Sequence, residues 1–267
     1  MISSSQLKEL QEPTIALARM AGERILSVYE TAFEVTRKED KSPLTEADMA
    51  AHGVITVGLE KLTPSMPMLS EEGPILDYEV RRRWRTYWLI DPLDGTREFV
   101  KRNGEFSVNI ALIDDYRPVL GVVYAPVLQE LYFASHGAGA YKQCKGGEPQ
   151  AIRVNETARQ PFRVTGSRSH STGRLGMYLE RLGAHELISL GSSLKACLVA
   201  EGKADLYPRF GPTSEWDTAA AQCVVEEAGG LITSMDMQPL RYNTKESLLN
   251  PHFFVFGDRS RNWSGYL

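Results

Sequence analysis

Long apolar runs are missing from this chain of 267 residues. No stretch approaches the ~18–20 apolar residues that a bilayer-spanning helix needs, which excludes an integral helical membrane protein. A basic excess is missing too: 30 Lys and Arg stand against 34 Asp and Glu, for a net charge of −4. A protein that coats nucleic acid needs a basic surface, so no nucleic-acid partner is expected and a small phosphorylated substrate fits better. Cysteine is scarce. Cys144, Cys197 and Cys223 are odd in number and lack metal-ligand spacing, and the chain is too large to need disulfide staples. Reduced cytosolic thiols are the expectation. The start, Met1-Ile2-Ser3-Ser4-Ser5-Gln6, has no basic segment leading into an apolar one, which points to a cytoplasmic location. Internal repeats and low-complexity linkers are absent as well. What is present is 42% hydrophobic content, enough to bury a large core in one large or two small domains.

Chemistry concentrates in Trp88-Leu89-Ile90-Asp91-Pro92-Leu93-Asp94-Gly95-Thr96-Arg97-Glu98-Phe99. Trp84, Tyr87, Trp88, Leu89 and Ile90 read as a largely buried strand that ends in two acids. Pro92 and Gly95 force a turn, so the Asp91 and Asp94 carboxylates and the Leu93 carbonyl can converge on one point. These are hard oxygen donors with no His or Cys beside them, which suits magnesium. The competing reading is an ordinary Asp-Pro-x-Asp-Gly loop whose acids bond backbone amides. Two other segments bear on that choice. Ser70-Glu71-Glu72-Gly73 follows the apolar run 66–69 at the end of an expected strand, and Glu215-Trp216-Asp217-Thr218-Ala219-Ala220 opens a helical pattern that Gly229-Gly230 closes. Asp217 thus falls in a first helical turn, where an acid is also a routine cap or dipole partner.

Together the three segments resemble the magnesium-dependent, lithium-sensitive phosphomonoesterases, the superfamily of inositol monophosphatases, fructose-1,6-bisphosphatases and 3′(2′),5′-bisphosphate nucleotidases. That superfamily carries a Glu-Glu pair, then Asp-Pro-(Ile/Leu)-Asp-Gly-Thr, then Trp-Asp-x-Ala-Ala before an Ala-Gly-Gly helix end, and this chain has each in that order. The likeness runs from Lys41-Ser42-Pro43-Leu44-Thr45-Glu46-Ala47-Asp48 to the last strand at 252–257. Within it, Thr96-Arg97-Glu98-Phe99 and Gly211-Pro212-Thr213-Ser214-Glu215-Trp216-Asp217 are similar to the bacterial bisphosphate nucleotidases; inositol monophosphatases usually have Thr and Asn in place of Arg97 and Glu98.

The resemblance implies that Glu71, Asp91 and the Leu93 carbonyl hold one magnesium and that Asp91, Asp94 and Asp217 hold a second. Two or three ions per site are expected, with lithium inhibitory. Glu71 rather than Glu72 has the family's spacing to Asp91. Thr96 with Glu71 would orient and deprotonate the attacking water, and Asp48 would be a further catalytic acid near a weaker metal position. A solvent-facing residue at a helix start is the other reading of Asp48. Four carboxylates within ~5 Å would repel by about 3 kcal/mol per adjacent pair at an effective dielectric near 20. The implied substrate is adenosine 3′,5′-bisphosphate, hydrolysed at the 3′ position to AMP in sulfur assimilation, with its sulfated form as a second substrate. An inositol or other sugar phosphatase on the same metal site is the alternative. Gly95, Thr96 and Asp217 would contact the substrate. So would His170 in Ser167-Arg168-Ser169-His170, Ser192 and Lys195 in Ser192-x-x-Lys195, and Arg209. His170 could instead cap a helix and Lys195 could lie on a solvated face.

Periodicity gives an amphipathic helix from about Ser5 to Tyr29, a second helix after Asp48, and strands near 85–90, 106–113, 119–125 and 130–135. Asp114-Asp115-Tyr116-Arg117-Pro118 reads as a hairpin connection and Gly137-Ala138-Gly139-Ala140 as a hairpin turn. The basic run Arg81-Arg82-Arg83-Trp84-Arg85 reads as solvated. Beyond the polar stretch Lys142 to Gln150, strands near 162–165, 186–190 and 204–207 alternate with helices near 172–182, 193–202 and 216–228. The expectation is an α+β half, 1–150, and an α/β half, 151–267. The resemblance implies a layered αβαβα sandwich of the inositol monophosphatase-like, sugar phosphatase type with the metal site between the halves. It also implies a monomer or homodimer, at most loosely associated with the inner face of the membrane.

Overall fold

The computed structural model describes residues 2–30, 36–37, 43–44, 46–166 and 173–267. Helix α1 (Ser4–Tyr29) starts at a capping box: Ser3 Oγ accepts the Gln6 N–H at 3.3 Å and Gln6 Oε1 accepts the Ser3 N–H at 3.0 Å. Strands β1 (Thr36–Arg37) and β2 (Pro43–Leu44) pair antiparallel. Helix α2 (Glu46–Leu62) begins two residues before Asp48 rather than after it, which sets that acid in the first turn. Next come β3 (Met68–Ser70), the short α3 (Tyr78–Arg81), β4 (Thr86–Asp94), α4 (Thr96–Val100), β5 (Ser107–Asp114), β6 (Arg117–Ala125), β7 (Glu130–Ser135), β8 (Gly139–Cys144) and β9 (Gln150–Ile152). The remaining elements are β10 (Phe162–Gly166), α5 (Arg174–Leu182), β11 (His185–Ser189), α6 (Leu194–Ala200), β12 (Leu206–Arg209), α7 (Glu215–Glu227), β13 (Leu231–Ser234), β14 (Phe253–Phe256) and a 3₁₀ turn at Trp263–Tyr266.

Strands β3 to β9 form a seven-stranded sheet in sequence order, antiparallel except for β3 beside β4. The other five strands are ordered β11-β10-β12-β14-β13, with β10, β11 and β12 parallel and β13 and β14 antiparallel to their neighbours. Strand periodicity explains the layering. Trp88, Ile90, Ile110, Leu112, Val122 and Phe133 face a core shared with α1 and α2, whereas Tyr87, Leu89, Ala111, Ile113, Val123 and Tyr132 face one shared with α6 and α7. Strand β14 repeats this: Phe253 and Val255 point to the α6/α7 core, and Phe254 and Phe256 to a third core under α5. The middle core fills both faces of the α6/α7 layer, so the three cores hold together five layers, an αβαβα sandwich. Strands covered on both faces need continuous apolar runs, which is why β4 to β7 read so clearly.

Several local expectations change. Strand β9 still pairs with β8, so the division at 150/151 cuts a strand; we place the division of the halves in the segment 153–161 instead. Strand β12 starts two residues late because the N–H groups of Lys203 and Ala204 both bond the Leu198 carbonyl and finish α6. Arg81 is not solvated. It is 2% exposed, its Nη1 donates to Asn243 Oδ1 at 2.6 Å, its Nη2 donates to the Glu246 carbonyl, and its own carbonyl accepts Asn243 Nδ2 at 2.6 Å. The β5–β6 hairpin turns on Asp115 and Tyr116, both left-handed at φ 51° and 65°, the conformation of a two-residue type I′ loop. Among the described residues no helix is long and apolar enough to cross a membrane.

Helix α7 lies against the seven-stranded sheet at Gly121 in β6, where an added Cβ would sit 2.3 Å from the Ala220 carbonyl oxygen and 2.8 Å from Cys223 Cβ. Backbone cannot yield as a side-chain tip does. Gly121→Ala is therefore expected to destabilise the fold by about 1–3 kcal/mol, the usual range for overpacking. Urea denaturation checks this, and an unchanged midpoint would show that α7 is free to lift.

Candidate active site

Strand β4 does not end at the acids. It runs on through a bulge: Asp91 pairs with Asn109 and Asp94 with Ser107, so Pro92 and Leu93 sit opposite a single residue of β5. The Leu93 side chain enters the core below α1 and α2, while its N–H donates to Asp91 Oδ1 at 3.1 Å. Gly95 follows at φ +96°, a left-handed position that favours glycine, and heads α4. Thr96 is half-buried in the first turn of α4.

Three elements bring their acids to this bulge. Glu71 follows β3 and its N–H bonds the Ile90 carbonyl at 3.1 Å. Asp217 lies in the first turn of α7 and its Oδ2 accepts the Ser214 N–H at 3.0 Å, so it serves the helix start as well. Ligand oxygens of Glu71, Asp91 and Asp217 all lie within 4.8 Å of one another. Asp48 is buried at the start of α2, not solvent-facing, and its charge bears on Asp91. Burial, and then the charges of Glu71, Asp94, Asp217 and Asp48, push the Asp91 carboxyl well above its usual range. Burial raises Asp217 in the same way, with Asp94 and Glu71 adding to it and the Ser214 N–H and Arg209 opposing.

Such a cluster is costly without a cation. Asp91 Oδ2 is buried and has no hydrogen-bond partner among the described residues, a state that normally costs kilocalories. Carboxylate oxygens with no His or Cys among them fit a hard divalent ion.

Asp94 stands apart from the triad. Its Oδ2 accepts the Ser193 N–H at 2.5 Å and the Ser193 hydroxyl at 2.7 Å, with Asn109 Nδ2 at 3.5 Å. Beside it opens a cleft of about 390 Å³ lined by Asp94, Lys195, Tyr207, Arg209, Thr213 and Asp217, among others. Lys195 is buried, its Nζ donating to the Ser192 carbonyl at 2.5 Å and lying 5.5 Å from the centre of the Tyr207 ring. Burial lowers its pKa to about 8 although Asp94 pulls it up, and the charge of Arg209 lowers it further. A solvated face is thereby excluded for Lys195. Arg209 ends β12 half-buried, held by Thr213 Oγ1 at 2.9 Å and the Pro212 carbonyl at 3.0 Å. Ser192 is strained at φ 49°, with its Oγ 3.2 Å from Ser107 Oγ. His170 lies outside the described residues, as do Lys41, Ser42 and Thr45.

Sequence reasoning misses Ser193, Asn109 and Ser107. Their signal is that Ser107 and Asn109 are polar yet wholly buried in an otherwise apolar central strand. It also misses the support under α7, where Glu215 is fully buried and its Oε2 accepts the N–H of Asn243, the partner of Arg81, at 2.7 Å.

The five-layer sandwich and its histidine-free acidic site at the sheet bulge define a class of metal-dependent phosphatase folds. The chain matches the inositol monophosphatase family model over residues 6–259, and it belongs to that family. Among its relatives is the 3′(2′),5′-bisphosphate nucleotidase CysQ of Salmonella typhimurium, 54% identical over 91% of this chain and 98% of the relative. The solved CysQ of Bacteroides thetaiotaomicron is 47% identical with a TM-score of 0.81, covering 93% of this chain and 97% of that one. An IMPase of Thermotoga maritima is 27% identical with a TM-score of 0.76 and covers 94% of each chain.

Proposed function

We propose that this protein is a magnesium-dependent 3′(2′),5′-bisphosphate nucleotidase that hydrolyses adenosine 3′,5′-bisphosphate to AMP and phosphate, with the sulfated nucleotide as a second substrate in sulfur assimilation. The observation that carries it is one cleft lined by both acids, Asp94 and Asp217, and cations, Lys195 and Arg209. A monoester needs only the acids and their ions. A bisphosphate also needs the cations, because its second phosphate must be held away from the reacting one. The printed names of the relatives support this substrate class.

Glu71, Asp91, Asp94 and Asp217, with the Leu93 carbonyl, would hold the ions. Bound magnesium supplies neutralisation of charge on the phosphoryl oxygens and acidification of a water. Glu71, with Thr96 beside the bulge, orients that water and takes its proton. The water oxygen would form the new bond to phosphorus as the bond to the ribose 3′ oxygen breaks, and that oxygen would take a proton from water in the open cleft to leave as the 3′-hydroxyl of AMP. Asp48, buried at the start of α2, adds to the negative potential that draws ions in. Lys195 and Arg209 fix the 5′-phosphate and so the register of the 3′-phosphate. The three cysteines are unpaired, which agrees with a cytoplasmic enzyme.

Phosphate release from adenosine 3′,5′-bisphosphate, inositol 1-phosphate and fructose 1,6-bisphosphate tests this, each with magnesium, with chelator and with added lithium. The nucleotide should be preferred, with activity lost in chelator and inhibited by millimolar lithium. Preference for either sugar would retain the metal chemistry and overturn the substrate; full activity in chelator would overturn both.

A further inference from the structure

One buried serine touches two of the acids from a third element. Ser193 precedes α6 and is 6% exposed. Both of its donors, the N–H at 2.5 Å and the hydroxyl at 2.7 Å, meet the same atom, Asp94 Oδ2. The same Oγ lies 2.6 Å from the Asp217 carbonyl oxygen and accepts Asn109 Nδ2 at 2.9 Å. Asn109 is itself fixed, since its Oδ1 accepts the Ser107 hydroxyl at 3.1 Å. A single atom thus joins the β4 bulge, the polar site in β5, the start of α6 and the first turn of α7.

We propose that Ser193 is a positioning residue for the metal site: it clamps Oδ2 of Asp94 so that Oδ1 is the oxygen offered to an ion, and it fixes the distance between the Asp94 bulge and the Asp217 turn. This rests on the reading of Asp94 and Asp217 as ligands. A carboxylate free to rotate would have to be ordered when an ion binds; one already held by a charge-assisted pair is not. The hydroxyl carries one proton, which serves Asp94 or the Asp217 carbonyl but not both at once. Asn109 donates to Oγ and so directs that proton toward these two acceptors rather than back to β5. Gly191 permits the approach: a Cβ there would lie 2.5 Å from the Glu105 carbonyl oxygen and 2.7 Å from Glu98 Cγ.

The test is a double-mutant cycle of Ser193→Ala and Asp94→Asn, read by calorimetric titration of the purified protein with magnesium in the absence of substrate. Ser193→Ala should weaken magnesium binding by about tenfold, the lower end for groups that orient a ligand. In the Asp94→Asn background the same change should cost clearly less, because the carboxylate it orients is gone and only its hold on the Asp217 carbonyl remains. Steady-state assays should show kcat of Ser193→Ala restored by raised magnesium, which a damaged fold would not allow. Equal affinity in wild type and Ser193→Ala overturns the proposal, as does a loss of the same size in both backgrounds or a kcat that excess magnesium does not restore. If Asp94→Asn alone binds magnesium as wild type does, the ligand reading itself fails, and that result is distinct from the others.

Discussion

Replacing Asp91 by asparagine is expected to raise the melting temperature of the metal-free protein, to abolish its further rise with magnesium, and to cut kcat by on the order of 10³-fold or more, since losing even one electrostatic contact to a transition state costs about 10²–10³. The opposite signs follow from one fact. Asp91 is buried against Glu71, Asp94 and Asp217, and its charge is held there at a cost. Asparagine keeps an oxygen for the Leu93 N–H and puts an N–H₂ where Oδ2 has no partner, facing acids instead of repelling them. Relief of 1–2 kcal/mol corresponds to roughly 2–8 °C in a protein of this size. The pH dependence has the same origin. An unfolded Asp titrates near about 3.9, and the folded values of Asp91 and Asp217 lie above that. The fold therefore binds their protons more tightly, and this stabilisation, complete below the unfolded value, is lost as pH rises through the folded one. Metal-free wild type should melt lower across that window, and Asp91→Asn should show less of the decline. With magnesium the trend reverses, because deprotonated ligands bind the ion better. Scanning fluorimetry with chelator and with magnesium reads all of this; a metal-free Asp91→Asn protein that melts below wild type would sink the account of stored repulsion.

What the sequence makes legible here is what is local or periodic. The Asp91 to Thr96 stretch carries its chemistry within six residues, and the Trp-Asp helix start announces itself through its own apolar face. The buried strands show as runs because both faces are covered, so Tyr87 and Trp88 are equally apolar though they enter different cores. The bulge is not visible in the same way. Pro92 and Gly95 signal a turn, yet β5 keeps β4 paired through Asp94, and that pairing depends on a strand whose register the segment itself does not announce.

Contacts far apart in sequence leave almost no trace. Ser193 meets Asp94 across 99 positions and Asn109 across 84, and nothing about a serine ahead of a helix says which acid it faces. Arg81 misleads for a related reason. It stands in a run of basic residues that looks solvated, but its partners Asn243 and Glu246 arrive from the loop before β14, more than 160 positions later. That loop also supplies the Asn243 N–H and Lys245 Nζ to Glu215, so the start of α7 is braced from behind by residues that carry no motif. A buried acid two residues from Asp217 is tolerable only with such partners.

Removing the buried cation tests the substrate assignment most sharply. Lys195→Met should raise KM for adenosine 3′,5′-bisphosphate by about 100-fold, about 2.7 kcal/mol, while changing KM for adenosine 3′-monophosphate little. The enzyme keeps this ammonium charged despite its burial, and Asp94 supports it while Arg209 works against it. A second phosphate in the cleft would supply the missing counter-charge, so the penalty held in the free enzyme is released when the bisphosphate binds. Loss of a buried charge contact of this kind typically costs 2–5 kcal/mol, which brackets the expected change. Because burial holds the Lys195 pKa down, to about 8 in the ion-free site, kcat/KM for the bisphosphate should fall on the alkaline side, and the Lys195→Met enzyme should lack this limb. Stability moves the other way. An unfolded lysine titrates near about 10.4, so the cost of the buried charge is complete below the folded value and is relieved between the two. The methionine variant should accordingly melt no lower than wild type at neutral pH, its stem filling the same space beside Tyr207. Equal rises in KM for the bisphosphate and the monophosphate would mean that Lys195 serves the reacting phosphate or the fold, and the second-phosphate site would have to be sought elsewhere in the cleft.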